Sequence, residues 1–480
     1  MKQRTKFVVA ILCIALLLSM VACGKTNDAP TISAEESALQ RYRQAVEALA
    51  QAPDLTVEAE YACDRIVGGE TYTEKMTETS TYRGLGTDSA AASVKQQVAF
   101  GPYETQYSRF YRKGIAYCKT EDSTFKTEMK IQEFIGYQTP AILIDAALYN
   151  AVKVDKILDS SVITFAEPTA LESWATDVSG AKLVSASGTV TLDEGGNIVK
   201  STYVAEFTCG KTTYSLQVSA SVKLEAAQTL DDDLSALPKK CPAISYFDAP
   251  RKILQVVGDV YTAKAMTAKY TESVYSAAFA RSRSQTSTFD IYGVGETFMA
   301  KSSYEVVNTD YSNTPVTNSE VVTYRDSICT SVLNGGDPTV REGITEDTMR
   351  RFCEDAVLAA LFTPNHLKDA TVSEKKGQLR IKFTGNTDFA DYVCSNIYAI
   401  FNANLDTYAE SSTPPAAGGY LYINRETGLP VALGINLERQ HVSGDVAYAL
   451  TYELEQTMQL SSTKAYKNIT GEKEPTPTQP

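Results

Sequence analysis

Strict alternation of apolar and polar positions dominates this chain. Residues 214–224 place Tyr214, Leu216, Val218, Ala220, Val222 and Leu224 on one face, opposite Ser215, Gln217, Ser219, Ser221 and Lys223. A second stretch places Tyr448, Leu450, Tyr452 and Leu454, then Met458 and Leu460, opposite Ala449, Thr451, Glu453 and Glu455. Leu55, Val57, Ala59, Tyr61 and Cys63 alternate in the same way with Thr56, Glu58, Glu60 and Ala62. A period of two predicts strands buried on one face only, the habit of antiparallel sheets. Gly195-Gly196 and Thr427-Gly428 supply the positive-φ residues of hairpin turns between such strands.

Helical periodicity is rarer. Residues 34–52 carry Leu39, Tyr42, Val46 and Leu49 on one stripe. Thr139-Pro140 reads as a cap with proline at the first helical position, leading into a predicted helix over Ala141–Asn150. Thr345 opens another that carries Met349, Phe352, Val357 and Leu361 and stops at Pro364. Further helices are predicted at about 387–404 and, shorter, at 168–178. One-sided strands need cover, and these helices supply it. The predicted class is α+β, with curved antiparallel sheets covered by helices.

The two halves match in order. Leu55-Thr56-Val57 matches Met266-Thr267-Ala268, and Tyr117-Cys118 matches Ile328-Cys329. Asp145-Ala146-Ala147-Leu148 matches Asp355-Ala356-Val357-Leu358. Ile163-Thr164-Phe165, ahead of Leu171 and Trp174, matches Ile381-Lys382-Phe383, ahead of Phe389 and Tyr392. Leu192 to Val199 matches Asn424 to Val431. Matches in one order predict a tandem duplication, with domains at 34–240 and 246–466, each large enough to bury its own core. Thr229–Pro250, with Asp231-Asp232-Asp233, Pro238, Pro242 and Pro250, reads as the junction. Residues 467–480, rich in proline, threonine and charge, read as a disordered tail.

This order of elements, with the hairpin around Asn424–Val431, resembles the lipoprotein-carrier fold of LolA, LppX and LprG, once per half. The resemblance implies two half-barrels, each with helices on its concave face, able to hold acyl chains. No catalytic residue transfers, because such carriers have none.

The N-terminus adds a location. Lys2, Arg4 and Lys6 precede an apolar run from Phe7 to Leu18, then Ser19-Met20-Val21-Ala22-Cys23-Gly24. A basic start, a short apolar core and a small residue before the cut form a secretory signal over residues 1–22. The run is too short for an ordinary membrane-spanning helix. Ala22-Cys23-Gly24 resembles the lipobox of bacterial lipoproteins, with Met20 in place of the usual leucine. That resemblance implies an acylated Cys23, a tether over 23–33, and an anchor on the outer face of the cell membrane. The plainer alternative is a secretory signal with an incidental cysteine.

Charge and composition narrow the chemistry. The net charge of −13 becomes −16 once Lys2, Arg4 and Lys6 leave with the signal, which argues against nucleic acid as a partner. The two histidines, His366 and His441, lie at a helix-end loop and a polar strand end and read as surface or capping residues. Seven cysteines remain after Cys13 and Cys23 are set aside, namely Cys63, Cys118, Cys209, Cys241, Cys329, Cys353 and Cys394. They are scattered without metal spacing and read mostly as small buried hydrophobes. An unpaired set in an exported protein suggests an anaerobic host or one or two disulfides. Gly293-Val294-Gly295 lacks the rest of a dinucleotide fingerprint and reads as a strand bend, matching Gly84 and Gly86. Glu58 and Glu60 sit on a polar strand face. The 28 tyrosines, including Tyr103, Tyr107 and Tyr111, suit half-buried strands or a stacking surface. The sequence therefore predicts no enzyme, no metal site and no cofactor. The expected function is a monomeric, membrane-anchored binding lipoprotein for a lipid or other apolar ligand, its ligand-binding residues unassigned. The alternative is a non-catalytic structural module, fully packed, that contacts another protein or wall polymer.

Overall fold

A computed structural model describes residues 34–472, apart from 102, 136–142, 158–159, 177–179, 278–280, 295–296, 310–313, 350–362, 392, 394–408, 411–415, 444–445 and 461. The chain divides into two compact units, one ending at Cys241 and one beginning at Pro242, with Gly68–Tyr72 counted in the second. The signal, the tether and Cys23 lie outside the described residues, as do Thr139-Pro140, Cys353 and Cys394.

The first unit opens with helix α1 (Ala34–Gln51) and then runs out through β1 (Leu55–Val67), β2 (Glu70–Arg83), β3 (Ala91–Phe100), β4 (Tyr103–Arg112), β5 (Ile115–Lys119) and β6 (Thr124–Glu128). A short helix, α2 (Ile131–Ile135), follows. The chain re-enters at the opposite edge with β7 (Tyr149–Ile157) and returns through β8 (Ser160–Pro168), β9 (Lys182–Leu192), β10 (Ile198–Cys209) and β11 (Thr212–Lys223). The order is β6-β5-β4-β3-β2-β1-β11-β10-β9-β8-β7, an open antiparallel sheet. Its first and last strands pair at the centre, Val57 opposite Val222 and Cys63 opposite Leu216. Helix α3 (Leu230–Ser235) ends the unit against β3.

The second unit has the same plan. Helix α4 (Ala249–Thr262) leads into β12 (Met266–Ser276), β13 (Arg281–Tyr292), β14 (Met299–Thr309), β15 (Pro315–Arg325), β16 (Ile328–Leu333) and β17 (Thr339–Glu342). The return runs through β18 (Leu367–Lys375), β19 (Gln378–Gly385), β20 (Ala409–Glu410), β21 (Ala416–Asn424), β22 (Pro430–Ser443) and β23 (Val446–Gln459). The order is β17-β16-β15-β14-β13-β12-β23-β22-β21-β19-β18, with β20 added to β22. Helix α5 (Ser462–Thr470) closes the unit against β12, β13 and β14.

Most of the elements lie where the alternation places them. Tyr214, Leu216, Val218, Ala220 and Val222 are buried on β11, while Leu224 lies past the strand end and is exposed. The turns at Gly196 and Gly428 have φ of 80° and 68°, the left-handed region that glycine adopts without strain. Four of the matched segments fall at equivalent strands: the starts of β1 and β12, strands β5 and β16, strands β8 and β19, and the β9–β10 and β21–β22 turns.

Four expectations are corrected. The described part of 141–150 is not a helix: Asp145 caps a single 3-10 turn at Ala146–Leu148, and the period-two run from Tyr149 becomes β7. In the second unit a 3-10 turn, Pro364–His366, likewise precedes β18, and the matched Asp355–Leu358 lies outside the described residues. Residues 168–178 are likewise not helical: β8 runs to Pro168, and the rest, as far as described, is turn. Asp231-Asp232-Asp233 is not linker but the first turn of α3, where negative charge meets the positive end of the helix. Asp233 takes Lys95 at 2.7 Å and the Ser93 hydroxyl at 2.8 Å, and Asp231 pairs with Arg83 at 2.9 Å. At the chain's far end α5 continues through Thr470, beyond the expected boundary at 466.

Close backbone approach fixes the second sheet at one point. A Cβ on Gly419 would lie 1.9 Å from the Gly434 carbonyl oxygen and 2.9 Å from the Phe383 ring. A Cβ on Gly188 would meet the end of the Ile144 side chain at 2.3 Å and the Thr202 carbonyl oxygen only at 3.3 Å. Gly419→Ala is therefore expected to destabilise by about 1–3 kcal/mol, and Gly188→Ala by less, measured by urea unfolding followed by circular dichroism.

Candidate functional site

In each unit the sheet has an inner face, marked by α1 in the first and by Phe389 packed on Phe383 in the second, while α3 and α5 lie on the opposite face. In the first unit this face is defined by Tyr42 of α1, whose ring meets Phe165 of β8 edge-on with centroids 5.1 Å apart. Cross-strand register carries the face from Phe165 to Gly188, Tyr203, Val218 and Tyr61. In the second unit one transverse row runs Ile381, Leu421, Leu433, Gln456, Tyr270, Ser287, Tyr304 and Glu320. The adjacent row runs Phe383, Gly419, Ile435, Leu454, Glu272 and Gln285. Both rows are mainly apolar on the returning strands and mainly polar on the outgoing ones.

The returning half of the first unit holds a clamped cluster. The Tyr42 hydroxyl accepts the Ile144 N–H and donates to the Ile144 carbonyl, both at 2.7 Å. Glu172, 3% exposed, accepts the Asp145 N–H at 3.0 Å and the Tyr149 hydroxyl at 3.3 Å, and its own N–H reaches the Tyr203 hydroxyl at 3.5 Å. Trp174 donates its indole N–H to the Leu143 carbonyl at 3.2 Å and packs on Tyr203. The segments 143–148 and 171–174 are thus tied to the sheet through one carboxyl group. Burial pushes the Glu172 carboxyl up to about 7, with nearby Asp145 adding to the rise and the hydrogen bonds opposing it. Burial likewise holds the Tyr42 and Tyr149 hydroxyls well above the usual phenol range.

The outgoing half of the first unit is sealed around a second carboxylate. Glu78 accepts the Ser80 hydroxyl at 2.6 Å and the Gln96 amide at 2.5 Å. Arg109 lies over the Tyr107 ring at 5.1 Å. Glu78, Ser80, Gln96, Tyr107 and Arg109 are all buried. On the opposite face, beside α3, lies a groove of about 580 Å³ whose lining includes Thr77, Gln97, Gln106, Lys119 and Asp233.

In the second unit a polar cluster on β12 and β13 is mostly half-buried. Arg283 donates to Gln285 Oε1 at 2.6 Å, and the Gln285 amide donates to the Tyr270 hydroxyl at 2.6 Å and the Ser287 hydroxyl at 2.9 Å. The Tyr270 ring stacks on Phe289 at 5.7 Å. Burial raises the Glu272 carboxyl, against the opposing effects of the Tyr452 hydrogen bond and the Arg283 charge. The Ser331 hydroxyl donates to Glu320.

The residues singled out by sequence fall elsewhere. His366 ends the 3-10 turn before β18, its ring 5.3 Å from Phe389, and His441 lies on β22. Gly293, with φ of 73°, follows β13 as Gly84 follows β2, so both occupy turns rather than strand bends. Glu58 and Glu60 are exposed on β1. Tyr107 and Tyr111 share the buried face of β4 rather than forming a surface. Cys63, Cys118, Cys209, Cys241 and Cys329 carry free thiols, the first three buried, and burial pushes Cys63 up to about 11. Among the described residues no group of three metal-ligating side chains converges, and no helix is long and apolar enough to cross a membrane. Sequence reasoning missed Glu78, Gln96, Glu172, Glu272 and Gln285. A signal for one of their neighbours existed, since the apolar stripe 448–460 skips Gln456.

No family model matches the chain, and no curated protein matches it. Among solved structures it is similar to LprF from Mycobacterium bovis, at 9% identity and a TM-score of 0.25 over 44% of this chain and 91% of that one. It is also similar to OccK5 from Pseudomonas aeruginosa, at 6% identity and a TM-score of 0.11 over 84% of this chain and 97% of that one. At such scores these likenesses carry no argument about function.

The Glu172 cluster makes a testable statement about pH. Its carboxyl titrates near 7 when folded and at about 4.3 when unfolded. The folded state therefore holds the proton more tightly, and this contribution is full below about pH 4.3 and lost as pH rises through 7. Glu172→Gln keeps an acceptor for the Asp145 N–H without the buried charge. It is expected to raise stability at pH 8 by about 1–3 kcal/mol and to flatten the fall between pH 5 and 7.5, read by urea unfolding at each pH.

Proposed function

We propose that the chain is a membrane-anchored extracytoplasmic binding lipoprotein of two LolA-like units, holding a lipid or other apolar ligand between sheet and helices. One observation carries this reading. Each unit is an open antiparallel sheet whose inner face is apolar on the returning strands, and in the first unit that apolar part is covered by a helix, α1, rather than by a second sheet. A helix packed on an open sheet is a cover beneath which an apolar guest can be held. The lipobox-like Ala22-Cys23-Gly24 supports the anchor, and the prolines and charge around Pro242 support domains at 34–240 and 246–466. The role is non-catalytic and the protein works as a monomer.

A second reading is favoured for the first unit alone. Its inner face is filled by Glu78, Gln96, Tyr107 and Arg109, each almost wholly buried, which suits a packed module that contacts an exported protein or wall polymer. Native mass spectrometry of protein purified from its own host separates the two. Co-purifying lipid is the expected result, whereas clean apoprotein that fatty acids and phospholipids fail to stabilise against heat overturns the binding reading.

The anchor has its own test. Cys23→Ala is expected to leave the protein folded and in the soluble fraction, because stable attachment needs more than one acyl chain and this cysteine carries them. Persistent pelleting with membranes after a high-salt wash contradicts the lipobox.

A further inference from the structure

Gln456 lies in the middle of the inner face of the second unit and is 2% exposed, yet its Nε2 amide has no hydrogen-bond partner among the described residues. Leaving a buried amide unmet costs about 1–3 kcal/mol, so the position calls for a reason. Its neighbours provide one. Gln456 stands directly opposite Tyr270 in the β12–β23 pair, with side chains on the same face. Tyr270 is the end of a directed chain in which Arg283 donates to Gln285 and Gln285 donates to the Tyr270 and Ser287 hydroxyls. Glu272, one pleat along β12 on the same face, supplies carboxylate acceptors. The carboxylate–amide cluster of the first unit lies one strand further out, on β2 and β3, and is closed, Glu78 and Gln96 being 3% and 4% exposed. In the second unit Tyr270, Glu272, Arg283 and Gln285 remain half-buried and reachable.

We propose that this patch, centred on Gln456, Tyr270, Glu272 and Gln285, is a binding site for a neutral polyhydroxylated group, either a free saccharide or the head of a lipid. The chemistry selects the class. A hydroxyl accepts from the Gln456 amide while donating to Glu272, and a polyol brings further hydroxyls to the polar side chains beside them. Glu272 and Glu320 on the same face oppose an anion, and the uncharged Gln456, Tyr270 and Gln285 offer the donors and acceptors that a neutral hydroxyl uses. The site adds a polar specificity to the binding reading and does not depend on an apolar ligand being held.

The test uses the whole mature chain, with binding read by native mass spectrometry and calorimetry. The probes are maltotriose, triacetylchitotriose, dodecyl maltoside below its micelle concentration, and dodecanoic acid. Wild type is expected to bind at least one of the sugar-bearing probes, and Gln456→Leu to weaken that binding about tenfold while leaving dodecanoic acid unchanged. Because the Gln456 amide has no partner to lose, the variant is expected to melt no lower than wild type, and Gln285→Leu is expected to weaken the same probe. Binding of a free trisaccharide identifies a saccharide site, and binding of the maltoside alone identifies a lipid headgroup site. If no sugar-bearing probe binds while dodecanoic acid does, the polyol site is wrong and the apolar reading stands. If nothing binds, both fail. Equal loss of every probe in Gln456→Leu shows a structural role and also overturns the proposal.

Discussion

The pairing of the first strand with the last is the interaction on which each unit depends. Val57 opposite Val222, and Ala268 opposite Met458, join segments separated by nearly the whole length of a unit. Everything between them consists of hairpins with local register, so two meanders form easily but have no fixed relation until this pair zips. Closing so long a loop costs entropy that grows only slowly with length, and a ladder of eleven residue pairs between β1 and β11 offsets it. Strands in the middle of such a sheet cannot be edges, and β11 at the centre of the first sheet shows a clean alternation of buried and less buried positions. This pairing also makes folding depend on a non-local contact, the kind that sets slow rates.

That central pair also divides the inner face. Strands that leave it and strands that return to it are built from different residues. The returning rows end in Phe165 and Ile163 or in Phe383 and Ile381, all fully buried, and take the helical cover. The outgoing rows carry Glu78, Ser80 and Gln96, or Glu272, Gln285 and Ser287. A half-polar inner face is costly unless each group is paired, and the first unit pairs its carboxylate twice at short range. The two units thus share a topology while differing in how far that polarity is sealed.

How much of this was legible depended on whether a residue's role was set by its neighbours in sequence. Strand alternation, the glycine turns and α1 are local, and they were read correctly. The helix expected over 141–150 rests on the Thr139-Pro140 cap signal, and the one over 168–178 on the spacing of Leu171 and Trp174. What decides them is remote: Tyr42, Tyr203 and Glu172 hold these segments against the sheet in turns, and no local pattern encodes those partners. The acidic run at 231–233 failed for the same reason, since its meaning lies in Lys95, Ser93 and Arg83, more than a hundred residues away. Polar inner-face residues such as Glu78 and Gln96 are the hardest case, because on a strand their burial contradicts their type.

Gln456 is the exception that period-two reading can catch. A polar residue interrupting an otherwise apolar stripe must either be a point where the face opens to water or a buried group with work to do. Here burial excludes the first. The apolar partners Leu433 and Met458 flank it on the returning side, so no side chain there can satisfy the amide, while the hydroxyls and carboxylate across β12 face it from the other. An amide at the seam between an apolar and a polar half-face is the group that a guest touching both halves would satisfy. Polarity that the fold leaves unsatisfied is therefore a better pointer to function in this architecture than any residue with recognised chemistry.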